Sequence, residues 1–127
     1  MRLDDVTILV VDDERDSREM IATVLEQQGA VVLQTDSAES ALETLQNSPV
    51  RVMIADIAMP KIDGYELIRR VRASGSRIAS IAVTAFARSD DRQTALESGF
   101  STYLAKPIDA RQLARTVRDL VHVETMA

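Results

Sequence analysis

The chain has 127 residues, of which 46% are hydrophobic and 28% charged, a size and composition that fit one compact domain with a single core. Its net charge of −5 and pI near 4.8 argue against direct nucleic-acid binding, which relies on basic surfaces. The absence of cysteine excludes disulfides, thiolate zinc sites and cysteine nucleophiles.

The ends of the chain and its apolar runs indicate where the protein resides. No apolar run approaches membrane-spanning length, and the first five residues are too acidic for a signal peptide. We therefore expect a cytoplasmic protein with no membrane partner. One domain is expected over 1–127, with a core from about 6 to 121 and a polar tail at 122–127.

The first half of the chain predicts two strand-helix units. A continuous apolar run at 6–11 predicts a buried strand, and helix-spaced apolar residues follow it up to Gly29. A stretch rich in β-branched residues at 30–35 predicts the second strand. Asp36 precedes an acidic residue by three positions, which is the spacing of a helix cap, and the helix it begins is closed by Pro49.

The second half of the chain predicts three more units of the same kind. Two of their helices begin at a side chain that can accept a backbone hydrogen bond, Asp63 and Asp109. The strands are predicted at 52–56, 78–84 and 102–105, and the helices from 63 to 75, from 89 to 99 and from 109 onward.

This alternation of apolar strands and helices defines the expected fold. Strands that are apolar along their whole length are typical of parallel sheets covered on both faces. We therefore expect an α/β fold: a doubly wound parallel sheet of five strands, with five helices on two faces and right-handed crossovers.

Polar side chains stand at four of the five predicted strand ends. Asp12 and Asp13 follow the first strand, Asp56 ends the third, Thr84 ends the fourth and Lys106 follows the fifth. Ligands of such sheets bind outside the carboxyl ends of the strands. We therefore expect these side chains to meet in one crevice.

The three carboxylates of this crevice need a compensating positive charge. Two of them roughly 4 Å apart repel by about 4 kcal/mol at an effective dielectric of about 20, which one lysine does not offset for all three. The cluster predicts either a proton held on one acid or a bound Mg²⁺ or Mn²⁺ ion, with the cation favoured. A cation would leave room for phosphoryl oxygens, with Lys106 and Thr84 as further donors and Asp56 as the nucleophile.

These motifs resemble the receiver (response-regulator) domains of two-component signalling. The similar motifs span about 6–121, and they are Asp12-Asp13, Asp56 with Met59-Pro60 and Asp63-Gly64, Thr84-Ala85 and Lys106-Pro107. The resemblance implies the strand order 2-1-3-4-5. The run from Thr84 to Ala87 also resembles receivers attached to hybrid histidine kinases, which implies that the chain could be one domain of a longer protein.

The resemblance also implies a chemical role for each site residue. Asp56 would accept a phosphoryl group, in a Mg²⁺- or Mn²⁺-dependent transfer, from a histidine kinase or a histidine phosphotransfer domain. Asp12, Asp13, Asp56 and the backbone carbonyl of Ala58 would bind the metal. Lys106 would contact the acyl phosphate.

Further implications of the resemblance concern the response to phosphorylation. The Lys106-Pro107 bond would be cis, and Thr84 and Tyr103 would move, which switches the surface of the fourth helix, fifth strand and fifth helix. Such a domain is not an enzyme. It catalyses only the acceptance and the slow loss of its own phosphoryl group. Its output domain or target protein is not identified by the resemblance, and a phosphorylation-dependent homodimer is compatible with it.

Two positions near the site are apolar. Ala58 stands two residues after Asp56, and Phe86 stands two residues after Thr84. Neither side chain can orient an attacking water, so we predict slow hydrolysis of the phosphoryl group.

Three other functions can be compared with this interpretation. An aspartyl phosphatase needs a second acid where Ala58 stands, and a flavin-binding module needs an anion-binding loop where Asp12, Asp13 and Glu14 would repel phosphate. Both are disfavoured by these residues. A receiver-like docking or dimerisation module that acts without phosphorylation stays open.

Overall fold

The described residues of the computed structural model, 3–85 and 89–126, form strands and helices in strict alternation. The strands are β1 (Thr7–Val11), β2 (Val31–Thr35), β3 (Val52–Asp56), β4 (Ala79–Thr84) and β5 (Thr102–Ala105). The helices are α1 (Arg15–Gln27), α2 (Ala38–Asn47), α3 (Gly64–Ala73), α4 (Ser89–Ser98) and α5 (Ala110–Met126).

All neighbouring strands pair in parallel, in the order β2-β1-β3-β4-β5. The predicted α/β fold and strand order are confirmed. Among the described residues, no helix has both the length and the apolar character needed to cross a bilayer.

Two apolar cores lie on the two faces of the sheet, because successive side chains of a strand point to opposite sides. In β3, Val52 and Ile54 pack into the core formed with α1 and α5. Met53 and Ala55 pack into the core formed with α2, α3 and α4. Every residue of β3 is buried, so this strand holds its carboxyl end firmly between both layers of helices.

The edge strand β2 departs from the expectation that all strands are covered on both faces. Its residues are only partly buried, and Val31 is 51% exposed. β2 pairs with β1 alone, so it lacks the second neighbour whose helices would cover it.

The core begins earlier in the chain than the expected residue 6. Leu3 is fully buried, and its N–H donates to the Gln28 carbonyl over 2.8 Å, which holds the start of the chain against the end of α1. The stretch predicted as a polar tail from 122 belongs to α5 as far as Met126. It contains no glycine or proline that would end a helix.

The helix caps agree with the prediction in two cases and differ in one. Asp63 and Asp109 each accept a hydrogen bond of 2.9 Å from a backbone N–H three residues on. The cap of α2 is Ser37 and not Asp36: the Ser37 hydroxyl accepts from the Ser40 N–H over 3.1 Å. A serine side chain satisfies a free N–H of the first turn as well as a carboxylate does.

Candidate functional site

Acidic side chains and one lysine meet at the carboxyl ends of β1, β3 and β5. The Lys106 ammonium lies 2.8 Å from Oδ2 of Asp56 and 3.9 Å from Oδ2 of Asp12. One carboxylate oxygen from each of Asp12, Asp13 and Asp56 lies within 4.8 Å of the others. The structure therefore brings together the carboxylates and the lysine that the sequence placed at separate strand ends.

Asp12 is 1% exposed, and most of its polar atoms have partners. Its N–H donates to the Thr35 carbonyl over 3.1 Å, and its own carbonyl accepts from Nη1 of Arg18 over 2.9 Å. Its Oδ1 accepts from the Glu14 N–H over 2.9 Å. In the described part of the chain, Oδ2 is buried with no hydrogen-bond partner, so it is an oxygen available to a cation.

Burial and the neighbouring groups of the site shift two pKa values. Burial raises the pKa of Asp12, and the Asp56 charge adds to this, while the Glu14 N–H, the nearby Ser17 hydroxyl and Lys106 act in the opposite direction. Burial lowers the pKa of Lys106, but the hydrogen bond and charge of Asp56, with the other acids, outweigh it and the pKa is raised. Lys106 is therefore a firmly charged ammonium beside acids that it neutralises only in part.

The site has the donor set that a hard divalent cation requires. Three carboxylates converge, and the buried Oδ2 of Asp12 has no hydrogen bond in the described structure. A buried oxygen without a partner is costly, and oxygen ligands are those that Mg²⁺ and Mn²⁺ prefer. Asp12, Asp13 and Asp56 thus fit such an ion, and the Ala58 carbonyl as a fourth ligand stays a prediction.

The loop after β3 fixes the orientation of Asp56, which is 6% exposed. Its Oδ1 accepts from the Ala58 N–H over 3.0 Å. Gly64 closes the loop by donating its N–H to the Ile57 carbonyl over 3.0 Å. A Cβ at Gly64 would lie 2.7 Å from the Asp56 carbonyl oxygen, so only glycine fits at this start of α3.

The remaining predicted residues lie at the ends of β4 and β5 or within β5. Thr84 is buried, at 9% exposure, at the end of β4, and its carbonyl accepts from the Lys106 N–H over 2.8 Å. The Lys106-Pro107 peptide bond is cis, the isomer that the resemblance implies. Tyr103 is half-buried, with the Arg92 guanidinium 4.9 Å from its ring centre.

Of the two apolar positions singled out in the sequence, Ala58 is described by the structure and Phe86 lies outside the described residues. Ala58 is exposed beside Asp56. The contact of Arg18 with Asp12 is not predicted by the sequence. Because Arg18 belongs to a helix and its acceptor is a backbone carbonyl, no side-chain pattern indicates their proximity.

The response regulator receiver domain family matches residues 8–118 of the chain. The chain is 46% identical over 113 residues to an uncharacterised 14.6 kDa protein of Leptolyngbya boryana, covering 87% of this chain and 86% of that protein. It is 36% identical over 115 residues to the sensor histidine kinase GacS of Pseudomonas protegens, covering 87% of this chain. The chain spans only 12% of the length of that kinase.

Solved structures show the same fold. A response regulator receiver domain protein from Clostridium thermocellum is 28% identical with a TM-score of 0.88, covering 95% of this chain and 98% of that one. A CheY-like receiver domain protein from Methanospirillum hungatei is 25% identical with a TM-score of 0.87, covering 97% and 99%.

Proposed function

The chain belongs to the response regulator receiver domain family of two-component systems, and on that premise we propose that it is a phosphorylation-controlled switch whose phosphoryl acceptor is Asp56. The observation that carries the proposal is the position of Asp56, with Lys106 at 2.8 Å and two further acids within 4.8 Å. This combines a nucleophile, a fixed cation and oxygen ligands for a metal at one strand end.

The chemistry follows from the hydrogen bonds of Asp56. An oxygen of Asp56 attacks phosphorus; the new P–O bond forms while the P–N bond to the donor histidine breaks, and its electron pair returns to the imidazole. The Ala58 N–H and the Lys106 ammonium hold the carboxylate in one orientation before attack, which is the positioning that phosphoryl transfer requires.

Lys106 and Thr84 would act after the transfer. Phosphorylation adds a charge of about −1.5 to −2, and Lys106 would move its hydrogen bond from Asp56 to a phosphoryl oxygen. The Thr84 hydroxyl would bind a second oxygen, and with Tyr103 would alter the surface formed by α4, β5 and α5.

A divalent ion would complete this site. Mg²⁺ or Mn²⁺ held by Asp12, Asp13, Asp56 and the Ala58 carbonyl would neutralise the charge of the transferring group. The buried Oδ2 of Asp12, which accepts no hydrogen bond within the described structure, supports this part of the proposal.

Relatives support the class of donor. GacS is described as a sensor histidine kinase, and so is RcsC of Escherichia coli, which is 34% identical over 114 residues and of which the chain spans 12%. We therefore propose a histidine kinase or a histidine phosphotransfer domain as the donor. The domain would act in the cytoplasm as the recipient of the phosphoryl group, without turnover of another substrate.

Intact-mass spectrometry tests the proposal. The protein is incubated with a small acyl phosphate and Mg²⁺, and we expect a gain of one phosphoryl group that is absent in Asp56→Asn. The matched control is Asp36→Asn, because Asp36 is an exposed acid outside the cluster, and it should be phosphorylated normally. No gain with the acyl phosphate or a phosphohistidine protein would instead favour the docking or dimerisation module.

A further inference from the structure

Arg18 lies next to the candidate site but is not part of its acidic cluster. It belongs to α1, and its Nη1 donates to the Asp12 carbonyl over 2.9 Å. Its Nε donates to Oε1 of Gln34, in β2, over 3.3 Å. One half-buried guanidinium therefore joins the end of β1 to the neighbouring strand.

The hydrogen bonds of Asp12 indicate how the Arg18 guanidinium restrains this residue. The Asp12 N–H and Oδ1 are bound by backbone groups of Thr35 and Glu14. Arg18 supplies a side-chain hydrogen bond to its carbonyl. Oδ2 is left buried, with no hydrogen bond in the described structure. The contacts together fix every polar atom of Asp12 except Oδ2, which has the Lys106 ammonium 3.9 Å away at the edge of the acidic cluster.

We propose that Arg18 is a positioning residue for the cation site, and that it holds Asp12 so that Oδ2 stays directed at the bound ion. The inference rests on the proposed function, because the ion belongs to it. Residues that orient metal ligands without touching the metal affect metal affinity by about 10- to 100-fold when replaced. Arg18 contacts the backbone carbonyl of the metal ligand Asp12 and not its carboxylate, so we expect a loss of affinity near the low end of this range.

The positive charge of Arg18 makes the proposal testable, because the charge weakens Mg²⁺ binding whereas the positioning of Asp12 strengthens it. A nearby guanidinium repels a divalent cation. If Arg18 influenced the site by charge alone, its neutralisation would tighten Mg²⁺ binding. If it positions Asp12, its neutralisation weakens Mg²⁺ binding despite the loss of repulsion.

The experiment measures Mg²⁺ affinity by isothermal titration without any phosphodonor. The test variant is Arg18→Gln. The matched control is Arg15→Gln on the same helix, because it removes the same charge from a side chain that is 77% exposed and pairs only with Glu19 among the described residues. We expect Arg18→Gln to bind Mg²⁺ about tenfold more weakly than the wild type, and Arg15→Gln to bind with unchanged or slightly higher affinity.

The outcomes separate positioning from charge and from folding. Equal or tighter Mg²⁺ binding by Arg18→Gln overturns the proposal, and so does an equal loss in Arg15→Gln. Urea unfolding in EDTA establishes that each variant is folded at the titration temperature, so an affinity change cannot reflect unfolded protein. Wild-type protein that binds no Mg²⁺ overturns both this inference and the metal site.

A second variant serves if Arg18→Gln does not fold. Arg18→Lys keeps the charge, but an ammonium lacks the planar fork that reaches both the Asp12 carbonyl and Gln34. We then expect Mg²⁺ binding by Arg18→Lys to be weaker than in the wild type. Wild-type affinity in this variant would overturn the positioning role, because the guanidinium contacts with the Asp12 carbonyl and Gln34 would not be needed for Mg²⁺ binding.

Discussion

The Lys106 ammonium lies 2.8 Å from Oδ2 of Asp56, although their strands, β5 and β3, are separated by β4. The lysine side chain thus extends over the end of the intervening strand, and it is 26% exposed. It meets the acid where water still reaches the pair, so the contact orients the groups and leaves them open to a reactant.

The site is expected to reduce stability in the absence of metal. Burial of Asp12 and its proximity to Asp56 raise the pKa of Asp12, which means that the folded protein disfavours its charge. Asp12→Asn removes this charge and should therefore increase the free energy of unfolding in EDTA. Urea denaturation measures this change, and calorimetric titration should show that the variant no longer binds Mg²⁺. Lower stability of Asp12→Asn in EDTA would contradict this account.

The same group gives a pH dependence with a defined sign. An acid with a raised pKa in the folded state stabilises the protein at low pH, and this contribution is lost as pH rises through the folded pKa. In EDTA, the Asp12 contribution to stability should thus fall as the pH rises from the acid range. Mg²⁺ competes with the proton, so the Mg²⁺-induced rise in melting temperature should be larger at pH 7.5 than at pH 5. An equal rise in melting temperature at both pH values would argue against competition between Mg²⁺ and the proton at Asp12. Asp12→Asn is the control, and Mg²⁺ should not raise its melting temperature.

Gly64 is predicted to be the glycine least tolerant of a side chain among those near the site. A Cβ there would lie 2.7 Å from the Asp56 carbonyl oxygen and 2.8 Å from Cα of Ile57, both backbone atoms. Gly64→Ala should cost about 1–3 kcal/mol of folding stability and should slow phosphorylation, because Asp56 would shift. Gly75→Ala is the comparison: its φ is +93° with open space around it, so it should cost about 1–2 kcal/mol and leave phosphorylation unchanged.

Arg72 is expected to stabilise the junction between α4 and β5. Its guanidinium donates to the carbonyls of Gly99 and Ser76 and to the hydroxyl of Ser80, and Ser80 is fully buried. Arg72→Met should lower the free energy of unfolding by about 1.5–3 kcal/mol and increase hydrogen exchange at residues 99–101. Arg70→Met, which removes an exposed partner of Glu66, should change neither measurement appreciably. Equal effects of the two variants would contradict the role of Arg72.

The phosphorylated protein is predicted to be long-lived. Ala58, exposed beside Asp56, has no polar group to orient an attacking water. Ala58→Asn should shorten the half-life of the phosphoryl group severalfold, as measured by the decay of the phosphorylated mass after the donor is removed. A wild-type half-life of seconds in Mg²⁺ would contradict the prediction.

The strand ends were predictable from the sequence because the sheet is parallel. In such a sheet every strand delivers its last side chain to one edge, so the positions of Asp12, Asp56 and Lys106 in the strand pattern suffice to bring them together. The alternation of β3 residues between the two cores likewise requires only the period of a strand.

Other features depend on contacts between distant segments, which the sequence pattern does not contain. The apolar run of β2 gives no sign that Val31 is exposed, because exposure depends on which strands become edges. The burial of Leu3, whose N–H donates to the Gln28 carbonyl, depends on how the start of the chain packs against the end of α1. The contact of Arg18 with Asp12 depends on how α1 lies against the sheet.

The burial of β3 in both cores has a mechanical consequence. Residues that alternate between the two cores pack the strand from both sides, so displacement of the strand would disturb both cores at once. If Asp56 accepts a phosphoryl group as proposed, we expect the carboxyl end of β3 to stay in place and the described surface of α4, β5 and α5 to move relative to it. The distance from the carboxyl end of β3 to that surface would then differ between the unphosphorylated and the phosphorylated protein.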